Sequence, residues 1–155
     1  MKLCIKQNAF SWRDKFFITD EYGNDKYYAE GSLFTFGREL SLFSLDGKRK
    51  AIIKCEMLSF IPSYRIEIEG KPFLKLVKKW SFKPRLLVEG LNWDITGDWS
   101  EHNYVATSLD RTVLSVNKKW FSWGDCYMLD MPDGIDEITA ISVALGIDCM
   151  NEDND

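Results

Sequence analysis

The sequence predicts a mainly β protein: a closed antiparallel barrel of about twelve strands around a central hydrophobic C-terminal α-helix. Three observations carry this expectation. Short runs in which apolar and polar side chains alternate recur as far as Asp130, separated by glycine- and aspartate-containing turns. One later segment breaks that pattern, because Ile135, Ile138, Ala140, Ile141, Val143, Ala144, Leu145 and Ile147 do not keep to a single stripe. A helix apolar most of the way round needs burial on most sides, and a long meander of strands must close or hide its edges. Strands wrapped around the helix satisfy both demands.

Taken in order, the turns are the clearest signals. The stretch Asp20-Glu21-Tyr22-Gly23-Asn24-Asp25 separates runs at 16–19 and 26–29, and Asp46-Gly47 separates 40–45 from 50–57. Glycine there permits the positive φ that hairpin turns require. Glu69-Gly70-Lys71-Pro72 and Glu89-Gly90 divide runs at 64–68, 73–77, 86–89 and 93–96, and Ser108-Leu109-Asp110 joins 104–107 to 111–117. In Tyr64-Arg65-Ile66-Glu67-Ile68 apolar residues alternate with charges, so one face meets the core and the other water. The last element spans about 134–149, with Asp133, Asp136 and Glu137 at the end where carboxylates favour the helix dipole. Gly146, near its end, either lets a wall strand approach or lets the helix fray.

At 155 residues with no polar linker, the chain reads as one domain over 1–150 followed by an acidic tail at 151–155. The net charge of −4 is unevenly spread: residues 1–129 hold all 20 bases against 16 acids, and everything after Leu129 is acidic or neutral. Cys4, Cys55, Cys126 and Cys149 lie far apart with no C-x-x-C pair, which predicts buried free thiols rather than a disulfide framework or zinc site. The polar N-terminus is no signal-peptide core, and the longest apolar stretch falls short of the ~20 residues of a membrane span. The expectation is a cytoplasmic protein, peripheral at the membrane if it meets one at all.

A motif recurs four times. Phe10-Ser11-Trp12-Arg13-Asp14-Lys15-Phe16-Phe17-Ile18 has counterparts beginning at Leu58, Trp80 and Phe121, with the common form apolar, Ser, aromatic, any, Asp or Pro, any, apolar, any, aliphatic. Serine hydroxyls bond local backbone and Asp or Pro favours turning, so the motif suits a corner between strands. A paired recognition site built from the first and last copies is the alternative.

These residues resemble a known family. Residues 5–16, the run Thr19-Asp20-Glu21-Tyr22-Gly23-Asn24, the central Phe82-Lys83-Pro84, the closing 118–125 and the terminal apolar helix look like the bacterial LURP-one-related proteins, part of the wider tubby C-terminal-like group that also holds the phospholipid scramblases. The resemblance implies a twelve-stranded antiparallel barrel around a hydrophobic C-terminal helix. Tubby domains bind phosphoinositides through basic residues and scramblases act at membranes. No residue here matches the tubby lipid site or the scramblase calcium segment.

Site chemistry is sparse. His102, the single histidine, lies in Trp99-Ser100-Glu101-His102-Asn103 with no G-x-S-x-G elbow anywhere, and it reads as a turn residue. No metal, P-loop or dinucleotide motif occurs, so no cofactor, metal site or enzymatic activity is expected. Asp20, Asp25 and Asp46 read as turn carboxylates bonding local backbone. The expected ligand surface is basic and aromatic: Lys78, Lys79 and Trp80 with Lys83 and Arg85, and Lys118, Lys119 and Trp120. Two corners at one barrel end would gather these cations beside rim tryptophans, which suits anionic phospholipid headgroups. The same lysines also suit solvent-facing strand positions, and Lys48-Arg49-Lys50 reads as a solvated turn. The competing function is a protein-interaction or scaffold domain using an exposed strand edge or an aromatic rim. A nucleic-acid partner is not expected, and the sequence is silent on oligomeric state.

Overall fold

A computed structural model describes residues 1–7, 15–34, 37–56, 62–80, 82–121 and 124–152. Twelve strands follow in chain order: β1 Lys2–Gln7, β2 Lys15–Asp20, β3 Asp25–Phe34, β4 Gly37–Ser44, β5 Arg49–Glu56, β6 Ser63–Ile68, β7 Leu74–Lys79, β8 Arg85–Glu89, β9 Trp93–Asp98, β10 Asn103–Ser108, β11 Arg111–Phe121 and β12 Gly124–Asp130. One helix, α1 Glu137–Glu152, ends the chain. Each strand pairs antiparallel with its sequence neighbours and β1 pairs with β12, which closes the barrel. Closure leaves none of these twelve strands at a sheet edge.

The alternation read from the sequence sets the wall. Tyr64, Ile66 and Ile68 are buried in the lumen while Arg65 and Glu67 lie on the outside, and Leu74 and Leu76 do the same for β7. Phe73, expected to open that strand, instead precedes it, half exposed, with the Arg65 guanidinium 3.9 Å from its ring centre. The four serines of the repeated corner motif and the first of its turning residues, Asp14, lie outside the described residues. Its outgoing apolar pair is described in all four copies: Phe16/Ile18, Tyr64/Ile66, Leu86/Val88 and Tyr127/Leu129 are all core residues. The motif therefore marks where a strand re-enters the lumen side. The strand pairs flanking it, β1/β2, β5/β6, β7/β8 and β11/β12, all meet at the same mouth of the barrel.

The helix threads the lumen, buried without interruption from Thr139 to Met150. Its start is later than the sequence suggests because Asp136 is the cap. The Asp136 carboxylate accepts the Thr139 N–H at 2.9 Å and the Thr139 hydroxyl at 2.6 Å, satisfying one of the backbone donors that the first turn leaves open. The far end runs on to Glu152, so Asn151 and Glu152 are helix rather than tail. Of the two roles open to Gly146, close approach is the one observed. A Cβ there would stand 2.7 Å from Leu76 Cδ1 and 3.4 Å from Ile66 Cδ1, so the helix leans on the β5–β7 side of the wall.

The cysteines depart from expectation. Cys4 and Cys126 form a disulfide between β1 and β12, with Cα atoms 6.1 Å apart. They are 122 residues apart in sequence, and only closure of the barrel makes them neighbours. Cys55 and Cys149 are buried thiols outside any disulfide, as expected. A hydrogen bond with Cys55, together with burial, pushes the Cys149 thiol pKa up.

Candidate functional site

The two mouths of the barrel are built differently. At one, the tight turns gather around the start of the helix. Lys71 reaches Asp136 at 2.8 Å, and Glu137 is bonded by Lys26 at 3.0 Å and by the Tyr27 hydroxyl. Turn carboxylates act locally, as expected for Asp20 and Asp46: Asp20 accepts the N–H groups of Tyr22 and Asn24, and Asp46 accepts that of Lys48. Asp25 is not a turn residue but the first of β3.

The other mouth holds the corners, the end of the helix and the predicted site. The helix has no base in its last turn, so the wall supplies the positive partners. Arg38, at the start of β4, bonds Glu152 and the Cys149 carbonyl. His102 donates from Nε2 to Asp148 Oδ1 at 2.6 Å, and its ring stacks on Tyr127 with centres 4.5 Å apart. Asp148 is only 5% exposed, so this lone histidine is the partner of a buried carboxylate as well as a turn residue. The hydroxyls of Tyr104 and Tyr127 are buried near it without a hydrogen-bond partner among the described residues. Burial first, and then the charge of Asp148, raises the pKa of both phenols. An acidic residue within an otherwise apolar helix and a solitary histidine were the sequence signals for this pair.

The predicted cations divide into two groups. Lys78, Lys79, Lys83 and Arg85 surround the β7–β8 loop, all exposed. Lys78 and Lys79 form no ion pair or hydrogen bond among the described residues, whereas Arg85 lies 3.5 Å from Asp94 on β9 and is partly neutralised. Trp80 stands out at 89% exposure, and Phe82, which is not among the predicted ligand residues, is fully exposed. Lys118 and Lys119 are exposed near the end of β11, at the same mouth. The side chain of Trp120 lies outside the described part of the chain.

The two Lys-Lys-Trp segments thus share a mouth but not a patch. Strands β8, β9 and β10 stand between β7 and β11, which puts them four steps apart on a ring of twelve. At roughly 4.8 Å per strand that is about 19 Å around the wall. Within each pair the two lysines diverge as well. Lys78 and Lys118 continue the inward registers of Leu76 and Val116, while Lys79 and Lys119 lie on the outer face. Beside the second pair, Glu101, Asn103, Asn117, Lys118 and Lys119 line an open surface cleft of about 330 Å³. Among the described residues no cluster of three or more His, Cys, Asp or Glu is arranged to hold a metal, and no helix is long and apolar enough to cross a membrane.

A closed twelve-strand antiparallel barrel with its C-terminal helix in the lumen has the architecture of the tubby-like class. Within it the chain belongs to the LURP-one-related family, whose model matches residues 1–148. It is similar to the uncharacterized protein YxjI of Bacillus subtilis (strain 168), with 34% identity over 158 residues that cover 100% of this chain and 98% of that protein. No solved structure matches the chain.

Proposed function

We propose that the protein is a non-enzymatic binding module that docks on anionic phospholipid through its corner mouth, centred on the β7–β8 loop. The observation that supports this is the pair Trp80 and Phe82, at 89% and 106% exposure, on a short loop between Lys78, Lys79 and Lys83. What sets this loop apart from other exposed apolar positions such as Tyr22 and Leu109 is the combination of two aromatic rings with neighbouring lysines, and interfacial aromatics beside bases suit the headgroup level of a bilayer. Each base near an anionic surface contributes about 1 kcal/mol, so three lysines and two aromatics make a weak, reversible anchor. On this reading the protein is cytoplasmic and peripheral, with the barrel axis tilted to present one mouth.

Co-sedimentation with phosphatidylglycerol-containing vesicles tests it. Binding should weaken steeply with added salt, and Lys78→Glu with Lys79→Glu should reduce partitioning about 30-fold or more, from about 2 kcal/mol at 1.4 kcal/mol per tenfold. Trp80→Ser with Phe82→Ser should reduce it further. Vesicle binding indifferent to salt and to both double substitutions would overturn the proposal. Vesicles ignored altogether would instead favour the aromatic rim as a protein-docking surface.

A further inference from the structure

Over much of the outer wall, charges neutralise one another across strands. Lys15 pairs with Glu30, Lys50 with Glu69, Lys54 with Glu67 and Arg85 with Asp94. The cleft beside β11 departs from that habit. The side chains of Glu101, Asn103, Asn117 and Lys119 line it and make no hydrogen bond or ion pair among the described residues. Their arrangement follows from register. Asn103 and Asn117 are direct partners on the outer face of β10 and β11, and Glu101, in the turn before β10, borders the same cleft as Lys119 on β11. A cation, a carboxylate and two amides therefore border one depression, with Lys118 alongside.

The wall that carries Glu101 is held firmly. His102 takes φ +52°, a conformation few non-glycine residues adopt, and the surroundings hold it there. Its ring is bonded to Asp148 and stacked on Tyr127, and the Asn151 side chain donates to the Trp99 carbonyl at 2.8 Å. Asp98 accepts the Glu101 N–H at 3.2 Å and the Ser100 hydroxyl at 2.6 Å, and these bonds hold its carboxyl below the usual range. The helix inside the barrel thus positions an exposed turn outside it, which is the preorganisation a binding site needs. At about 330 Å³ the cleft is at the small end of ligand pockets, which run from about 300 to 1,000 Å³.

We propose that this cleft binds a small ligand carrying both a phosphate and an ammonium group, the chemistry of phosphoethanolamine. Lys119 and the two asparagine amides meet the phosphate oxygens, and Glu101 meets the ammonium. A bare anion would face Glu101 at like charge and a bare cation would face Lys119, so the mixed lining discriminates against both. The source is either a phospholipid headgroup, which rests on the membrane reading above, or a soluble phosphorylated amine, which does not.

The test is an NMR titration of the full chain with O-phosphoethanolamine, inorganic phosphate and ethanolamine in separate experiments. Phosphoethanolamine should shift the Asn103 and Asn117 side-chain amides saturably, with either fragment alone about tenfold weaker or more, as expected for loss of a contact worth about 1.4 kcal/mol. Lys119→Gln should weaken phosphoethanolamine binding, and Glu101→Gln should weaken phosphoethanolamine while strengthening phosphate. Equal affinity of the wild type for phosphate and phosphoethanolamine, a Glu101→Gln substitution that leaves the wild-type preference between them unchanged, or no saturable shift with any of the three overturns the proposal. Phosphatidylglycerol vesicles with and without phosphatidylethanolamine separate the sources. Tighter binding with phosphatidylethanolamine, lost in Lys119→Gln, assigns the lipid. A saturable soluble titration with no such preference assigns a soluble ligand. If wild type ignores all vesicles but binds phosphoethanolamine, the docking proposal fails and the cleft stands.

Discussion

The two mouths of the barrel solve the same problem, anchoring one end of a buried helix, in opposite ways. At the turn mouth the helix is capped by its own Asp136, and nearby bases complete the job: Lys71 on Asp136, Lys26 on Glu137. At the corner mouth the helix brings no base of its own, and Arg38 on β4 and His102 in the turn before β10 come from more than 40 residues away in sequence. The first end joins a local cap, Asp136 on Thr139, to bases brought from distant parts of the chain, and spends these polar groups on the fold. The second depends on tertiary partners and leaves Trp80, Phe82, Lys78 and Lys79 facing out. Function belongs where the fold has left chemistry unspent.

Removing the helix altogether should erase the comparison. Ile141, Val143, Leu145 and Ile147 are fully buried, and at about 1.5–3 kcal/mol each they match the whole stability of a typical domain, about 5–15 kcal/mol. A chain ending at Asp130 should therefore show no cooperative urea transition by circular dichroism. A soluble, cooperatively folded truncation would show that the wall stands without its filling.

A single change at the corner mouth comes next in size. His102→Ala leaves the Asp148 carboxylate buried without its partner and should lower the unfolding free energy by about 3–5 kcal/mol, measured in urea. His102→Gln, which keeps a donor, should recover part of that. Equal losses in both variants would mean that ring packing on Tyr127, rather than the bond to Asp148, holds the turn.

The matching change at the turn mouth should be smaller. Asp136→Ala removes a cap and should cost about 0.5–2 kcal/mol. Burial tends to raise the Asp136 pKa, but hydrogen bonds from Lys71 and Thr139 outweigh it and leave the group below its ordinary value of 3.8. A lowered folded pKa means the carboxylate stabilises the fold above 3.8 and loses that contribution as pH falls through the folded value. The gap between wild type and Asp136→Asn should thus be wide at neutral pH and narrow in acid below that range. A gap that widens on acidification would reverse the assignment.

The smallest stability effect is expected where the proposed function sits. Trp80→Ser with Phe82→Ser should shift stability by no more than about 0.5 kcal/mol, since neither ring is packed in the core, while removing vesicle binding. A large loss of stability would place the loop on the structural side of the comparison.

Period-two alternation and the demands of positive φ act over a few residues, so ten runs of strand, the facing of β6 and β7 and the glycine turns were readable directly. The repeated corner motif was readable too, and with it the lumen-facing pairs Phe16/Ile18, Tyr64/Ile66, Leu86/Val88 and Tyr127/Leu129. The helix announced itself by having no polar face. Relations between distant residues were not readable, because spacing along a chain says nothing about who meets whom after a barrel closes. Closure made Cys4 and Cys126 a pair, and the helix threading the lumen set Asp148 against His102. Closure also decided that the two Lys-Lys-Trp segments share a mouth yet stand a third of the ring apart, since that angle is a count of intervening strands and not a property of either segment.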